Sequence, residues 1–314
     1  MAREKLKGRS LLTWLDFDAD EIRYLLELSK TVKAEQRQGK VQQRLLGKSV
    51  ALIFEKRSTR TRCSFETAIG EEGGHPVFMS MLDIHLGGKE TIEDTARVLG
   101  RMFNAIQFRG FKQSTAEALA KYSGLPVYNG LTDDYHPTQV LADIMTLEEN
   151  FGPSKGRTIC YVGDGRNNMA NSLLIICSKL GVNFTIITPA SLNPDPALME
   201  RCAPIAEASG AKIIVSDKLG DVKGADALYT DVWISMGEES KKAEREKLLR
   251  PYQINQALMD MTGKKEAIFL HCLPAIKGEE VTFDVMEGPQ SRVWDEAENR
   301  KHTIKAIILA TLGL

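Results

Sequence analysis

Residues 49–62 read SVALIFEKRSTRTR, so an uncharged apolar run is followed at once by a turn of basic and hydroxyl side chains. Beyond this turn, Phe65, Ala68 and Ile69 recur at helical spacing. A short apolar run, a polar turn and an amphipathic pattern predict a strand, a connection and a helix. The stretch therefore indicates the first strand–helix unit of an α/β fold.

The same alternation repeats along the chain, which predicts parallel strands with helices between them. It pauses after a long apolar-faced helix that begins at Pro137 and ends near Asn150. We therefore expect an α/β protein of two doubly wound parallel-sheet domains joined by interdomain helices, residues 1–149 and 150–293, with a C-terminal helix at 294–314. The other predicted strands are Val77–Met79, Ala105–Phe108, Pro126–Tyr128, Thr158–Val162, Phe184–Ile187, Lys212–Val215, Ala227–Thr230 and Ala267–Leu270.

Composition and charge exclude several classes of protein. The chain has 314 residues, 43% of them hydrophobic and 26% charged, with a formal net charge of −1. This balance is typical of a globular protein without a field that would draw it onto nucleic acid or an anionic membrane. The longest stretch without a charged residue, Leu180–Pro194, has 15 residues and is too short for a spanning helix. No apolar run follows the basic N-terminus, so we expect a cytoplasmic protein.

The cysteines favour neither a disulfide framework nor a zinc site. Cys63, Cys160, Cys177, Cys202 and Cys272 are odd in number, and no two of them form a C-x-x-C pair. This spacing predicts free thiols.

The turn Ser58–Arg62 carries the densest chemistry in the sequence. A strand-to-helix turn presents unpaired backbone N–H groups and the positive end of a helix dipole. The hydroxyls of Ser58 and Thr59, together with the guanidiniums of Arg60 and Arg62, predict a phosphate site there. A solvated basic turn or a nucleic-acid patch is the alternative interpretation. The interleaved hydroxyls, and the lack of another basic block in the sequence, disfavour that alternative.

A nucleotide site is a weaker alternative. The chain has no G-x-x-x-x-G-K-[ST] loop at the basic turn. Gly163-Asp164-Gly165 follows a predicted strand, but Asn168 stands where a dinucleotide fingerprint needs its third glycine. We therefore do not expect a bound dinucleotide.

Five short motifs extend over nearly the whole chain. They are Ser58-Thr59-Arg60-Thr61-Arg62, Phe108-Arg109-Gly110, His136-Pro137-Thr138-Gln139, Asp231-x-x-x-Ser235-Met236-Gly237 and His271-Cys272-Leu273-Pro274. In this order they resemble the motifs of ornithine carbamoyltransferases. The first three resemble the carbamoyl phosphate site shared with aspartate carbamoyltransferases, and the last two resemble the ornithine branch.

The resemblance implies transfer of the carbamoyl group of carbamoyl phosphate to the δ-amino group of L-ornithine, without a metal or an organic cofactor. Its implied catalytic residues are Arg60, Arg109, His136 and Cys272. Arg109 and His136 reach the carbonyl oxygen, and Gln139 reads the carbamoyl NH2. The implied carbamoyl phosphate site consists of Ser58, Thr59, Arg60, Thr61, His85, Arg109, His136, Gln139, Cys272, Leu273 and Arg300.

The resemblance also implies an acceptor site. It assigns Asp231 and Ser235 to the ornithine α-amino group, the main chain at Met236 to substrate contact and Asn168 to the substrate carboxylate. Trp233 and Met236, in the same loop, suggest an apolar lid over bound substrate.

The loop around His85 resembles one that reaches into the neighbouring subunit's site. We therefore expect a homo-oligomer, a trimer or a multiple of trimers, with active sites shared between subunits.

Other acceptors and a non-catalytic role stay open as alternatives. Aspartate would require basic groups for its second carboxylate, whereas the acceptor half offers Asp231. Putrescine has no α-amino or α-carboxylate group to recognise. A phosphate-binding regulator would use only Ser58–Arg62. Of the other histidines, His75 and His302 are predicted to be structural, and the side chain of His271 is expected to have a packing role.

Overall fold

The computed structural model describes residues 2–234 and 239–314. The chain divides into two compact units, the first comprising Met1–Met145 with Glu298–Leu314 and the second comprising Thr146–Ala297. Each unit contains a parallel sheet with helices between its strands, which confirms the predicted fold class. No helix in the described ranges is both long and apolar enough to cross a membrane. Ser235 and Met236, predicted to bind ornithine, lie outside the described residues.

The first unit alternates helices with four strands. Its elements are α1 (Ala2–Leu6), α2 (Ala19–Arg37), β1 (Ser49–Phe54), α3 (Thr59–Glu71), β2 (His75–Ser80), α4 (Ile92–Met102), β3 (Ala105–Arg109), α5 (Gln113–Ser123), β4 (Val127–Leu131) and the first part of α6 (Pro137–Phe151). A 3-10 turn occupies Trp14–Asp16. The sheet order is β2-β1-β3-β4, and all neighbouring strands are parallel.

Local sequence explains these elements. The five residues Val50–Phe54 are all buried, as expected for a central parallel strand covered on both faces. Helix α2 begins at a capping box, in which Asp18 accepts the Glu21 N–H at 2.8 Å and Glu21 accepts the Asp18 N–H at 2.9 Å. A side-chain cap of this kind stabilises a helix by about 1 kcal/mol.

The second unit follows the same plan with five strands. Its elements are β5 (Thr158–Val162), α7 (Asn168–Leu180), β6 (Asn183–Ile187), α8 (Pro196–Ser209), β7 (Ile213–Ser216), β8 (Ala227–Thr230), α9 (Lys242–Leu249), α10 (Gln256–Met261), β9 (Ile268–His271), α11 (Phe283–Met286) and the start of α12 (Val293–Leu312). Its 3-10 turns are Ala190–Leu192, Leu219–Val222, Glu239–Lys241 and Arg250–Tyr252. The sheet order is β7-β6-β5-β8-β9, again all parallel.

Each sheet has a point where successive strands begin to be added on the other side. That point lies between β1 and β3 in the first unit and between β5 and β8 in the second. Open α/β sheets bind ligands at the carboxyl ends of the strands flanking such a point. The predicted site residues follow these strands: Ser58 follows β1, Arg109 ends β3 and Asp231 follows β8.

Candidate active site

The basic turn after β1 is the amino end of α3. Ser58 is the N-cap residue, and its side chain accepts the Thr61 N–H at 3.1 Å. The cap fixes where the helix begins, so the positive end of its dipole lies at Ser58 and Thr59. Arg60 is half-buried in the first turn of the helix. The turn is therefore built to receive an anion.

Thr61 joins two guanidinium groups. Its buried Oγ1 accepts a hydrogen bond from Arg109 Nη1 at 3.2 Å and another from Arg300 Nη2 at 3.1 Å. Arg109 ends β3 and is 7% exposed, and Arg300 lies in α12 and is 2% exposed. Two buried positive charges beside one helix N-terminus favour an anionic ligand.

His136 lies in the same cluster, directly before α6. It is buried, and its Nδ1 is 3.5 Å from Thr138 Oγ1. Burial lowers the pKa of His136 well below its ordinary value, and the charges of Arg300, Arg109 and Arg60 lower it further. The imidazole is therefore neutral at neutral pH and can donate one hydrogen bond to an oxygen.

Gln139 is one helical turn beyond His136. Its N–H donates to the His136 carbonyl oxygen at 3.1 Å, and its side-chain Nε2 donates to Asp143 Oδ1 at 2.8 Å. The bond to Asp143 fixes the rotation of the amide, so that Oε1 is the atom able to accept a hydrogen bond from an amide NH2.

Arg62, predicted to bind phosphate, has other partners. Its Nε donates to Glu66 Oε1 at 2.9 Å, and its guanidinium lies 3.8 Å from the centre of the Phe78 ring. The i, i+4 ion pair holds Arg62 along the surface of α3, and its phosphate role stays a prediction.

Two neighbouring residues were missed in the sequence. Lys56 is buried, and its Nζ donates to Asp133 Oδ1 at 2.6 Å. Glu55 Oε2 accepts the Phe111 N–H at 3.0 Å. These bonds tie the turn after β1 to the turns after β3 and β4. The only signal in the sequence was the adjacent charged pair Glu55-Lys56, which directly follows β1.

His85 lies in an exposed turn of the first unit. The Gly88 N–H closes this turn by donating to the His85 carbonyl oxygen at 3.0 Å. Its role toward a neighbouring subunit stays a prediction.

Asp231, after β8, is the centre of a second cluster in the second unit. It is 8% exposed. Its Oδ1 accepts the Cys272 thiol at 3.1 Å and the Val232 N–H at 2.8 Å, and its Oδ2 accepts Asn167 Nδ2 at 3.1 Å. Three donors hold the carboxylate in one orientation at the carboxyl edge of the sheet.

Asn167 and Asn168 occupy different positions at the start of α7. Asn167 is the N-cap residue and makes the side-chain contact with Asp231, whereas Asn168 is the first helical residue and is half-buried. The sequence prediction named only Asn168. The two amides are adjacent in Gly165-Arg166-Asn167-Asn168, so spacing alone could not separate them.

His271 does more than pack. Its Nδ1 accepts the Leu273 N–H at 2.9 Å, and its Nε2 is 3.2 Å from Glu280 Oε1, with both side chains fully buried. Because Nδ1 accepts, the ring proton lies on Nε2 and is donated to Glu280. Leu273 has φ +59°, a conformation that a non-glycine residue seldom adopts, and this hydrogen bond supports it.

The ligand-capable atoms of Asp231, His271 and Cys272 lie within 4.8 Å of one another. Hydrogen bonds already use these atoms: Cys272 donates to Asp231, and the two His271 nitrogens have Leu273 and Glu280 as partners. That no metal takes part stays a prediction.

Trp233, predicted to belong to an apolar lid with Met236, is in the described part of the chain, whereas Met236 is outside it, so the lid stays a prediction. Trp233 is 2% exposed and packs with Leu192 and Leu249 in a small apolar core. A tryptophan at this depth anchors the chain after β8.

Comparison with known proteins agrees with these clusters. Residues 9–149 match the family described as aspartate/ornithine carbamoyltransferase, carbamoyl-P binding domain, and residues 155–311 match aspartate/ornithine carbamoyltransferase, Asp/Orn binding domain. The chain is 64% identical to an ornithine carbamoyltransferase of Caldanaerobacter subterraneus and 65% identical to one of Pseudothermotoga lettingae, each over 98% of both chains. It is also similar to the solved ornithine carbamoyltransferase of Pyrococcus furiosus, with a TM-score of 0.94, 46% identity and 98% of both chains covered. The resemblance found in the motifs is thereby confirmed, and the chain belongs to the aspartate/ornithine carbamoyltransferase family.

Proposed function

We propose that the two clusters catalyse transfer of the carbamoyl group of carbamoyl phosphate to the δ-amino group of L-ornithine, giving L-citrulline and phosphate. Residues 1–149 bind carbamoyl phosphate, residues 150–293 bind ornithine, and the helix at 294–314 returns Arg300 to the first of these. A bond forms between the δ-nitrogen and the carbonyl carbon, the bond from that carbon to the phosphate oxygen breaks, and the nitrogen loses a proton. The side chains supply positioning and charge stabilisation.

The observation that carries the donor assignment is the meeting of Arg109 and Arg300 at Thr61, at the amino end of α3. Ser58, Thr59, Arg60 and Thr61 hold the phosphate in this proposal, together with Arg300. Arg109 and His136 stabilise the carbonyl oxygen, where negative charge grows as the amine attacks. The lowered pKa of His136 suits this role, because a neutral imidazole adds a donor without a further positive charge.

Gln139 and Cys272 are the other side chains that contact the carbamoyl group in this proposal. The Gln139 amide, oriented by Asp143, recognises the carbamoyl NH2. Cys272 and the main chain of Leu273 face the carbamoyl group and the attacking amine, and the hydrogen bond from Leu273 to His271 supports that main chain. Catalytic roles thus fall to Arg60, Arg109, His136 and Cys272.

Asp231 carries the acceptor assignment. A carboxylate held by three donors at the carboxyl edge of the sheet suits the α-amino group of a cationic amino acid. Ser235 and the main chain of Met236 join it, and Asn168 binds the α-carboxylate. Ornithine offers both of these groups, whereas putrescine offers neither.

Citrulline formation by the purified protein tests the assignment. Ornithine, aspartate and putrescine should be compared as acceptors at equal carbamoyl phosphate. We expect carbamoylation of ornithine to exceed that of the other two by at least about a hundredfold in kcat/KM, since unpaired buried polar groups penalise acceptors that lack the matching ones. Phosphate binding without any carbamoylated product would instead identify a regulator.

The assembly is a homotrimer or a multiple of trimers, in which His85 completes a neighbouring subunit's site. The exposed turn at His85 supports this. Arg60→Ala and His85→Ala homo-oligomers should both be impaired. Mixed oligomers from co-expression should contain interfaces with both residues intact and regain activity. Activity equal to the average of the two parents, with hybrids verified by mass, would reject a shared site.

We place the reaction in the cytoplasm and in the biosynthetic direction of arginine metabolism. The near-neutral net charge supports a role apart from nucleic acid and membrane surfaces. Loss of the gene should create a growth requirement that citrulline or arginine meets and ornithine does not. Growth without either supplement would favour the phosphorolytic direction.

A further inference from the structure

Arg245 forms a nearly buried ion pair that none of the five motifs includes. It lies in α9, and its Nη1 is 2.6 Å from Asp164 Oδ2, with the two side chains 10% and 12% exposed. The two residues are 81 positions apart in sequence. A hydrogen-bonded guanidinium and carboxylate at this depth hold each other in place more firmly than surface pairs do.

Asp164 organises the turn that follows β5. Besides the ion pair, its Oδ1 accepts the Arg166 N–H at 3.0 Å, and its carbonyl oxygen accepts the Asn167 N–H at 3.1 Å. Gly165 fits the turn because a Cβ there would lie 2.7 Å from the Leu192 carbonyl oxygen. The turn therefore has one compact conformation, and Asp164 links that conformation to α9.

The turn delivers the side chain that contacts Asp231. At its end, Asn167 Oδ1 accepts the Met169 N–H at 2.7 Å, and Nδ2 donates to Asp231 Oδ2 at 3.1 Å. A continuous series of contacts thus runs from Arg245 through Asp164 and Asn167 to the acceptor carboxylate.

Helix α9 is itself a fixed support. Leu249 at its end is fully buried in a core with Trp233 and Leu192, and the guanidinium of Arg250 lies 5.2 Å from the Trp233 ring centre. An ion pair to such a helix can hold the turn in register. We propose that Arg245 is a positioning residue for the acceptor: by holding Asp164 it fixes the turn that presents Asn167 and Asn168, and it thereby sets the affinity for ornithine.

This inference rests on the proposed function, and steady-state kinetics tests it. In Arg245→Met the charge is lost and much of the apolar stem is kept. We expect the KM for ornithine to rise about tenfold or more, because small displacements of binding groups have large effects. The KM for carbamoyl phosphate should change less than about twofold. Arg245→Lys should recover part of the affinity, since it restores the charge without the forked geometry.

A second variant and a matched control separate positioning from general stability. Asp164→Asn should reproduce the ornithine effect. The double variant with Arg245→Met should be no worse than either single variant, because each substitution removes the same ion pair. Arg157 and Asp226, 3.6 Å apart, form an ion pair at the amino ends of β5 and β8, opposite the ends that carry Asp164 and Asp231. Arg157→Met should leave both KM values within about twofold of the parent.

Three results would overturn the inference: equal changes in the two KM values, a lowered unfolding midpoint with unchanged KM values, or an ornithine effect in Arg157→Met as large as that in Arg245→Met. The proposed function fails separately. If the parent protein forms no citrulline from ornithine, that function is rejected before any variant is compared, and the inference is rejected with it.

Discussion

The two units use one architecture to attract opposite charges. In the first, Arg109 and Arg300 meet at Thr61 beside the amino end of α3. In the second, the carboxylate of Asp231 follows β8 and receives donors from Asn167 and Cys272. In each parallel sheet, the point where strands begin to be added on the other side provides a location for a ligand. The side chains at the strand ends decide which charge that location favours.

The largest test of this contrast is removal of one guanidinium from the first unit. Arg109→Gln should lower kcat/KM by about 10²–10³-fold, since loss of one donor to a growing oxyanion costs roughly 3–4 kcal/mol. Arg60→Gln should have an effect of similar size. Citrulline formation measures both, with Arg157→Gln as a nearly silent control. Activity within about tenfold of the parent would contradict the site assignment.

The pH dependence of the reaction tests the proposed attack by the neutral amine. The free δ-amine has a pKa of about 10.4, so its reactive neutral form grows about tenfold per pH unit below that value. Activity at low ornithine should therefore rise between about pH 6 and 8.5, by up to about a hundredfold before another step limits it. His136 does not oppose the rise, because its lowered pKa keeps it neutral throughout this range. A flat profile would contradict direct attack by the neutral amine.

Asp231→Asn is the corresponding change in the second unit. We expect the KM for ornithine to rise about 10–100-fold, because a charge-assisted contact with the α-amino group is lost. The KM for carbamoyl phosphate should stay within about threefold. Initial rates with each substrate varied in turn measure both constants. If the two constants rise equally, the acceptor role assigned to Asp231 is wrong.

Most of the fold could be predicted because short stretches of sequence specify its helices and strands. The run Val50–Phe54 and the hydroxyl cap at Ser58 each specify structure within a few residues. Arg109 and His136 could be selected through motifs, and the structure brings the Arg109 guanidinium to Thr61 and close enough to His136 for its charge to lower the pKa of His136.

What the sequence did not reveal are contacts between distant positions. Lys56 meets Asp133 across 77 residues, and Arg245 meets Asp164 across 81. The sequence around a single charged residue in a helix does not identify its ion-pair partner, since only the folded topology brings the two together. The hydrogen bonds of His271 were missed for a related reason. The sequence around a buried histidine does not distinguish a side chain that only packs from one that orients a neighbour through hydrogen bonds.

The smallest expected effect concerns stability, and it too separates the units. The histidines whose pKa burial lowers, His136 and His302, both belong to the first unit. Burial lowers the pKa of His302 to about 4. Its Nε2 is 3.3 Å from Glu298 Oε1, and its Nδ1 has no hydrogen-bond partner among the described residues. Protonation of His302 is thus more favourable in the unfolded chain than in the folded unit.

The sign of the pH effect follows from linkage. Below the ordinary histidine pKa of about 6.5 the unfolded chain binds more protons than the folded one, so the free energy of unfolding falls as pH decreases from about 6.5 toward 4. One histidine contributes at most about 1.4 kcal/mol per pH unit, and we expect about 1–2 kcal/mol over this window because solvent screens its neighbours. Denaturant unfolding of the parent and of His302→Gln at pH 7.5 and 5 measures the difference, with the exposed His75→Gln as control. The loss on acidification should be smaller in His302→Gln and unchanged in His75→Gln. Equal losses in all three proteins would show that His302 does not make the first unit the acid-sensitive one.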